Sequence, residues 1–366
     1  MNITALFMSE ILGTFKRVDD LTLSEWELLI ECLRENASLA RFASFLKDED
    51  IPNQVKPHLQ SELVRARRQK QQALYECKLI DEHLRHVGVK PIFLKGAAYS
   101  VSDSAVGLGR LYGDIDVLVD KSDIEKSKQA LLERGWFPQI LTDYDEMYYR
   151  EWAHEIPPLT HVKRGTVLDL HHNLVPIVSG QAPDVADFSK DLVETKDGLL
   201  VFSQAAQTLH SAVHLFLNED FSHGIRDLTD LHILFTSNKD DENYWESLIT
   251  LSSKSSFEKE LQLAVRYCQK ILNTDIQSCH VEAIYALKET NFGLLDRCFE
   301  SVLRFRHPKL DSTLRSTYEL AVYMRGHFLK MPFSILAKHL TIKAWRSVVE
   351  STLGKNFYDK EHEVNR

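Results

Sequence analysis

Cysteine is scarce and scattered. Cys32, Cys77, Cys268, Cys279 and Cys298 are odd in number and form no C-x-x-C pair. That spacing excludes a disulfide framework and a cysteine zinc site, and it predicts a reducing compartment. Basic charge is also short: 44 Lys and Arg stand against 53 Asp and Glu, a net charge of −9. Non-specific nucleic-acid binding needs a basic footprint and is not expected. No run approaches the ~18 consecutive apolar residues of a transmembrane helix. Glu10 interrupts the apolar residues near the start, and no basic stretch precedes them. A signal peptide is therefore not expected, and the cytoplasm is the default location. Internal repeats and low-complexity linkers are absent too. What remains is an ordinary globular composition, 44% hydrophobic and 27% charged over 366 residues, enough for two or three cores.

The texture changes twice along the chain. Residues 1–88 read as a helical segment. Trp26, Leu29, Ile30 and Leu33 fall at helical spacing after Ser24, and Ala73, Cys77, Ile80, Leu84 and Val87 mark one buried stripe of a long helix beginning near Ser61. Gly88 is a helix stop. Residues 89–180 mix strands with helices. Pro91 to Leu94 is a short apolar strand; Asp114 to Val119 alternates, with Ile115, Val117 and Val119 on one face and Asp114, Asp116 and Leu118 on the other. Ser122 to Glu125 reads as a capping box opening a helix that Gly135 closes. Val167 to His171 is a further strand. From 181 to 366 the helical period returns: Ser203 can cap a helix carrying Leu209, Val213 and Phe216, and further helices are expected near 224–236, 241–253, 256–273, 294–304, 311–326 and 333–351. The fold class is α+β: a small mixed-sheet core between two helical regions.

Asp114 and Asp116 are the sharpest feature. Residues two apart on a strand point the same way, so both carboxylates leave one face. Two acids held that close repel unless a cation intervenes, and Mg²⁺, which takes oxygen ligands and keeps waters and phosphates in its shell, suits them. Lys95-Gly96-Ala97 follows a strand and opens a helix. Gly96 would let a phosphate approach the backbone, and Arg110 could reach phosphate oxygens. Asp169, between Leu168 and Leu170, is a third acid on a later strand.

The order Phe93-Leu94-Lys95-Gly96, Arg110, Gly113-Asp114-Ile115-Asp116-Val117-Leu118-Val119, then Val167-Leu168-Asp169-Leu170-His171 resembles the uncharacterised bacterial nucleotidyltransferase family of the DNA polymerase beta-like superfamily. The resemblance is good over about residues 88–175. It weakens through about residue 235, where Leu209-His210, His214 and Arg226-Asp227-Leu228 with Asp230 fit. It implies that Asp114, Asp116 and Asp169 are catalytic and hold two Mg²⁺ ions, with Mn²⁺ as a substitute. It also implies that Lys95, Gly96, Ala97 and Arg110 form the nucleotide site. Ala97 departs from the superfamily's Gly-Ser or Gly-Gly turn and loses a hydroxyl. Lys95 could supply phosphate charge or pair with a nearby acid.

The function implied is transfer of a nucleoside monophosphate from a nucleoside triphosphate, ATP among them, to an acceptor hydroxyl with release of pyrophosphate. The acceptor, a small molecule, glycan or protein, is not legible. The alternative is a weakened nucleotide sensor or antitoxin-like protein on the same fold, the reading Ala97 favours. A metallophosphohydrolase built on His210, His214 and Asp230 ranks last, because the adjacent His-Asp pair of such enzymes is missing. His210, His214 and His171 read as packing or hydrogen-bonding residues. Residues 301–350 carry a basic excess, which reads first as a solvated helix face and second as a surface for an anionic acceptor or lipid.

Overall fold

The architecture comes from a computed structural model, which describes residues 3–338 except 15, 47–50, 103 and 140–142, together with 341, 345 and 349. Its helices are α1 (Ile3–Leu12), α2 (Leu23–Glu35), α3 (Leu39–Phe45), α4 (Lys56–His86), α5 (Lys95–Val101), α6 (Ile124–Leu132), α7 (Asp143–Glu151), α8 (Val185–Phe188), α9 (Gln204–Leu217), α10 (Gly224–Ser237), α11 (Glu242–Lys254), α12 (Glu258–Leu272), α13 (Ser278–Ala286), α14 (Gly293–Val302) and α15 (Arg315–Lys330). The strands are β1 (Ile92–Phe93), β2 (Ile115–Leu118), β3 (Trp136–Pro138), β4 (Leu159–His161), β5 (Val167–His171), β6 (Val193–Glu194) and β7 (Leu200–Val201). They make one seven-stranded mixed sheet in the order β3-β4-β5-β2-β1-β7-β6. The class is α+β.

The sheet separates two cores, as the alternation in its strands requires. Ile115, Val117 and Val119 join Phe93, Leu168 and Leu170 on one face, where they meet Cys77, Ile80 and Leu84 of α4 and Ile124, Ala130 and Leu131 of α6. Leu118, Ile92 and Leu94 face the other way, into a larger core shared by α1–α3, α9–α12 and α14. Asp116 and His171 lie on this second face with Leu118, so their polar groups enter the space between sheet and helices.

The N-terminal helical segment packs on the segment between α14 and α15 within that larger core. Phe7 meets Phe305 edge to face at 5.0 Å. Asn36 donates to the Arg306 carbonyl at 2.8 Å and accepts from the Arg306 amide at 3.0 Å. Arg41 of α3 is 2% exposed and donates to the Val106 carbonyl at 2.6 Å, holding the loop before β2 against α3.

Several local expectations hold. Gly88 follows α4 at φ +78°, and the Ser203 hydroxyl accepts from the Ala206 amide at the start of α9. The capping box is elsewhere: Lys121–Asp123 form a 3₁₀ turn and no side chain caps α6. It sits at α2, where Thr22 and Glu25 cap each other's amides. The strand expected to start at Asp114 starts at Ile115, leaving Asp114 just outside the ladder. Strands β3, β4, β6 and β7 and helix α13 were not legible, because strands of two or three residues are too short to show a period. Of the helix expected over 333–351, residues 333–338 are helical; most of the rest lies outside the described residues.

Gly109 fixes the path of the loop that leads to β2. Its φ is +66°, and a Cβ there would come within 2.6 Å of the Ala40 carbonyl oxygen and of the Arg41 Cα. Gly165 has a similar φ of +68° with nothing within 4 Å. Gly165→Ala should cost about 1–2 kcal/mol from backbone strain alone. Gly109→Ala should cost roughly 1–3 kcal/mol more from the collision. Urea midpoints of the two variants measure the difference; equal losses would mean that α3 yields freely.

Candidate active site

The site is built by a register. Strands β2 and β5 run parallel with Asp116 opposite Asp169 and Leu118 opposite His171. Parallel neighbours lie about 4.8 Å apart and project corresponding side chains the same way. Asp116 and Asp169 therefore leave one face side by side, although 53 residues separate them in sequence. His171, two residues beyond Asp169, shares that face and hydrogen-bonds through Nε2 to Asp116 Oδ1 at 3.0 Å. Its other nitrogen, Nδ1, stands 3.1 Å from Glu155 Oε2.

The turn after β1 brings in a cation. The Leu94 amide donates to the Asp116 carbonyl at 3.0 Å, which ties the turn to β2. Lys95 then adopts φ +46°, a left-handed conformation uncommon outside glycine. Its Nζ donates to Asp116 Oδ1 at 2.7 Å. Of the two roles open to Lys95 from sequence, the geometry shows the ion pair.

A cleft of about 310 Å³ opens beside these groups. Lys95, Gly96, Asp114 and Asp116 lie on its sheet side; Ser211 and His214 of α9 and Arg226, Asp227 and Asp230 of α10 lie opposite, with Arg110 between. Gly96 also makes room for a neighbour. A Cβ would sit 2.7 Å from Arg110 Nη1 and 3.0 Å from the Tyr112 Cβ, so the missing side chain makes room for the guanidinium. Arg110 is held in place by Asp230: its Nε donates to Oδ2 at 2.6 Å, while Arg41 Nη1 stands 2.7 Å from Oδ1. Asp227 adds a longer pair to Arg110 at 3.5 Å and accepts from Arg226 at 2.8 Å. Ala97 does not line the cleft; its methyl is fully buried in the core between sheet and α4. A hydroxyl at that position would point into apolar packing.

Electrostatics sort the acids. Burial would raise Asp116, but Lys95 and His171 outweigh it and hold the carboxyl well below the usual range. Burial pushes Asp114 up, and Asp116 adds to the push. Asp169 is pushed up to about 7 by burial and then by Asp116, Glu155 and Asp114. Its Oδ1 is buried with no hydrogen-bond partner among the described residues. Burial lowers Lys95, yet Asp116, Glu155 and Asp114 hold it above its ordinary value. His210 falls to about 3 and His214 well below its ordinary value, through burial and then the Lys95 charge. Both stay neutral, as packing residues should, and Asp230 is committed to two arginines. Among the described residues, the ligand atoms of His210, His214 and Asp230 do not gather within 4.8 Å of one another.

The donor set suits a hard divalent cation at Asp114 and Asp169, where two acids carry uncompensated repulsion and one buried oxygen lacks a partner. At Asp116, Oδ1 already meets two donors, which leaves Oδ2 for an ion. Among the described residues, the potential ligand atoms that gather within 4.8 Å are those of His154, Glu155 and His171; the three aspartates are more spread. Sequence reasoning missed His154, Glu155 and Arg41. Glu155 had no periodic strand around it, and Arg41 is hidden in an otherwise apolar helix.

The mixed sheet thus carries acids on adjacent strands, beside a cleft that Arg110 and Arg226 line. Residues 22–273 match the family described as "Uncharacterised nucleotidyltransferase", and the chain belongs to that family. No curated protein and no solved structure matches it. No helix among the described residues is long and apolar enough to cross a membrane.

Two outcomes follow. Asp230→Asn leaves two buried guanidinium groups undercompensated and should cost about 3–5 kcal/mol of stability, read as a fall in the urea midpoint. The acid cluster also predicts a pH dependence in the presence of a chelator. A folded Asp169 near pH 7 binds a proton that the unfolded chain releases near pH ~4. Stability therefore falls as pH rises between those values, by roughly 2–4 kcal/mol, with Asp114 acting in the same direction. Asp169→Asn should flatten the Asp169 part of that slope and stabilise the chelated protein at pH 8. Unchanged slope in Asp169→Asn would show that the carboxyl ionises normally.

Proposed function

We propose that this chain transfers a nucleoside monophosphate from a nucleoside triphosphate to an acceptor hydroxyl, releasing pyrophosphate, with Mg²⁺ or Mn²⁺ bound at Asp114, Asp116 and Asp169. The observation that supports this reading is the β2–β5 register, which pairs Asp169 with Asp116 on one sheet face; Asp114 and Asp116 line the cleft, and Asp169 lies behind its lining. A divalent cation held there supplies charge neutralisation for phosphate oxygens and acidifies a bound hydroxyl. The chain's own residues do the rest. Arg110, fixed by Asp230, and Arg226 present guanidinium groups to the phosphates from the wall opposite the acids, and forked donors of this kind suit phosphate oxygens. Lys95 and His171 hold Asp116 ionised. Helices α9 and α10 exclude water from one side of the cleft and select the acceptor. The three parts expected from sequence alone, 1–88, 89–180 and 181–366, serve respectively as support, acid-bearing core and acceptor wall.

The test is pyrophosphate release with each of the four triphosphates and a panel of acceptors, beside direct binding. Asp114→Asn should keep nucleotide affinity through Arg110 and lose turnover roughly a thousandfold or more, several kcal/mol of transition-state stabilisation. Gly96→Ala should displace Arg110 and weaken triphosphate binding instead. Wild-type protein that binds triphosphate with Mg²⁺ but never releases pyrophosphate would favour the nucleotide-sensing reading. Absence of binding would exclude both.

A further inference from the structure

We infer that the Lys95 ammonium is a built-in cation that occupies one cation position at Asp116, so that the loaded site takes one divalent ion where a two-ion arrangement would need Asp116 free. The inference rests on the nucleotidyl-transfer reading and deepens it.

Three independent features of the geometry carry it. The first is the contact itself: Lys95 Nζ reaches Asp116 Oδ1 at 2.7 Å, and His171 Nε2 takes the same oxygen at 3.0 Å. A carboxylate that bridges two ions needs both of its oxygens; with Oδ1 facing two donors, only Oδ2 is left, for one ion. The second is the backbone. Lys95 holds φ +46°, a conformation that costs a non-glycine residue about 1–2 kcal/mol. Glycine would satisfy that turn without strain, so the position tolerates strain for the sake of a side chain. The third is the surroundings. The Lys95 side chain is only 20% exposed, and Asp116 is the one acid with which it makes an ion pair among the described residues. Glu155 Oε2, 3.1 Å from His171 Nδ1, continues the run of contacts Lys95–Asp116–His171–Glu155 on the protein side of the carboxylate. The repulsion that remains sits at Asp114 and Asp169, where the partnerless Asp169 oxygen is found.

The experiment counts ions. Mn²⁺ is titrated into the full-length protein with a saturating non-hydrolysable triphosphate, and free Mn²⁺ is read by electron paramagnetic resonance. Wild type should bind one Mn²⁺ per chain. Lys95→Met, which keeps the length and removes the charge, should bind two. The double variant Lys95→Met/Asp116→Asn should return to one, assigning the gained ion to Asp116. Lys95→Arg, which restores the charge, should bind one. Two ions in wild type, one of them lost in Asp116→Asn, would overturn the inference. So would a single ion in Lys95→Met whose circular dichroism matches wild type. Wild type that holds no triphosphate would fail differently, removing the transfer reading and this inference with it.

Discussion

Burying Asp116 beside Asp114, Asp169 and Glu155 is the constraint around which the site is organised. Two carboxylates on one face of a sheet, with two more beside them, repel strongly in a low-dielectric space. The chain answers from two sides: Lys95 arrives from the turn after β1, and His171 from the neighbouring strand. Each of these needs a particular backbone. The left-handed Lys95 needs the Leu94 amide tied to β2, and His171 needs the parallel β2–β5 register. Compensation stops at Asp116, and the leftover negative charge is what makes the site receptive to a cation.

The opposite wall has its own charge problem, solved with opposite signs. Asp230 sits between two buried arginines, one from α3 and one from the loop before β2. It thereby joins the N-terminal helices, the acid-bearing loop and the helical wall in one contact. Arg110 can face the cleft as a fixed donor only because this carboxylate holds it from behind and Gly96 leaves space in front.

Much of this was legible in the sequence, for physical reasons that differ by residue. The alternation of Ile115 to Val119 determined which side chains face which core, and the two cores obey it. Asp169 was found through its place between two leucines on a regular strand. Arg226, Asp227 and Asp230 were legible through the resemblance's helical part, and Asp230 is the centre of an ion network. What could not be read was long-range. Arg41 carries no local signal for its distant carboxylate, and Glu155 lies in irregular chain. Ala97 was assigned to the nucleotide because it follows Gly96. One residue along a helix turns a side chain by about 100°, however, and that rotation takes Ala97 from the cleft into the core.

The pairing of Asn36 with Arg306 has a consequence for how the protein is made. A ribosome adds roughly 5–20 residues per second. The 270 residues between the two partners then take roughly 15–50 s to appear. During that interval Trp26, Leu29, Leu33 and Phe42, all buried in the finished protein, have emerged before the C-terminal helices that help to cover them exist. The nascent N-terminal helices are therefore a natural client for a chaperone that shelters apolar surface until synthesis passes α14.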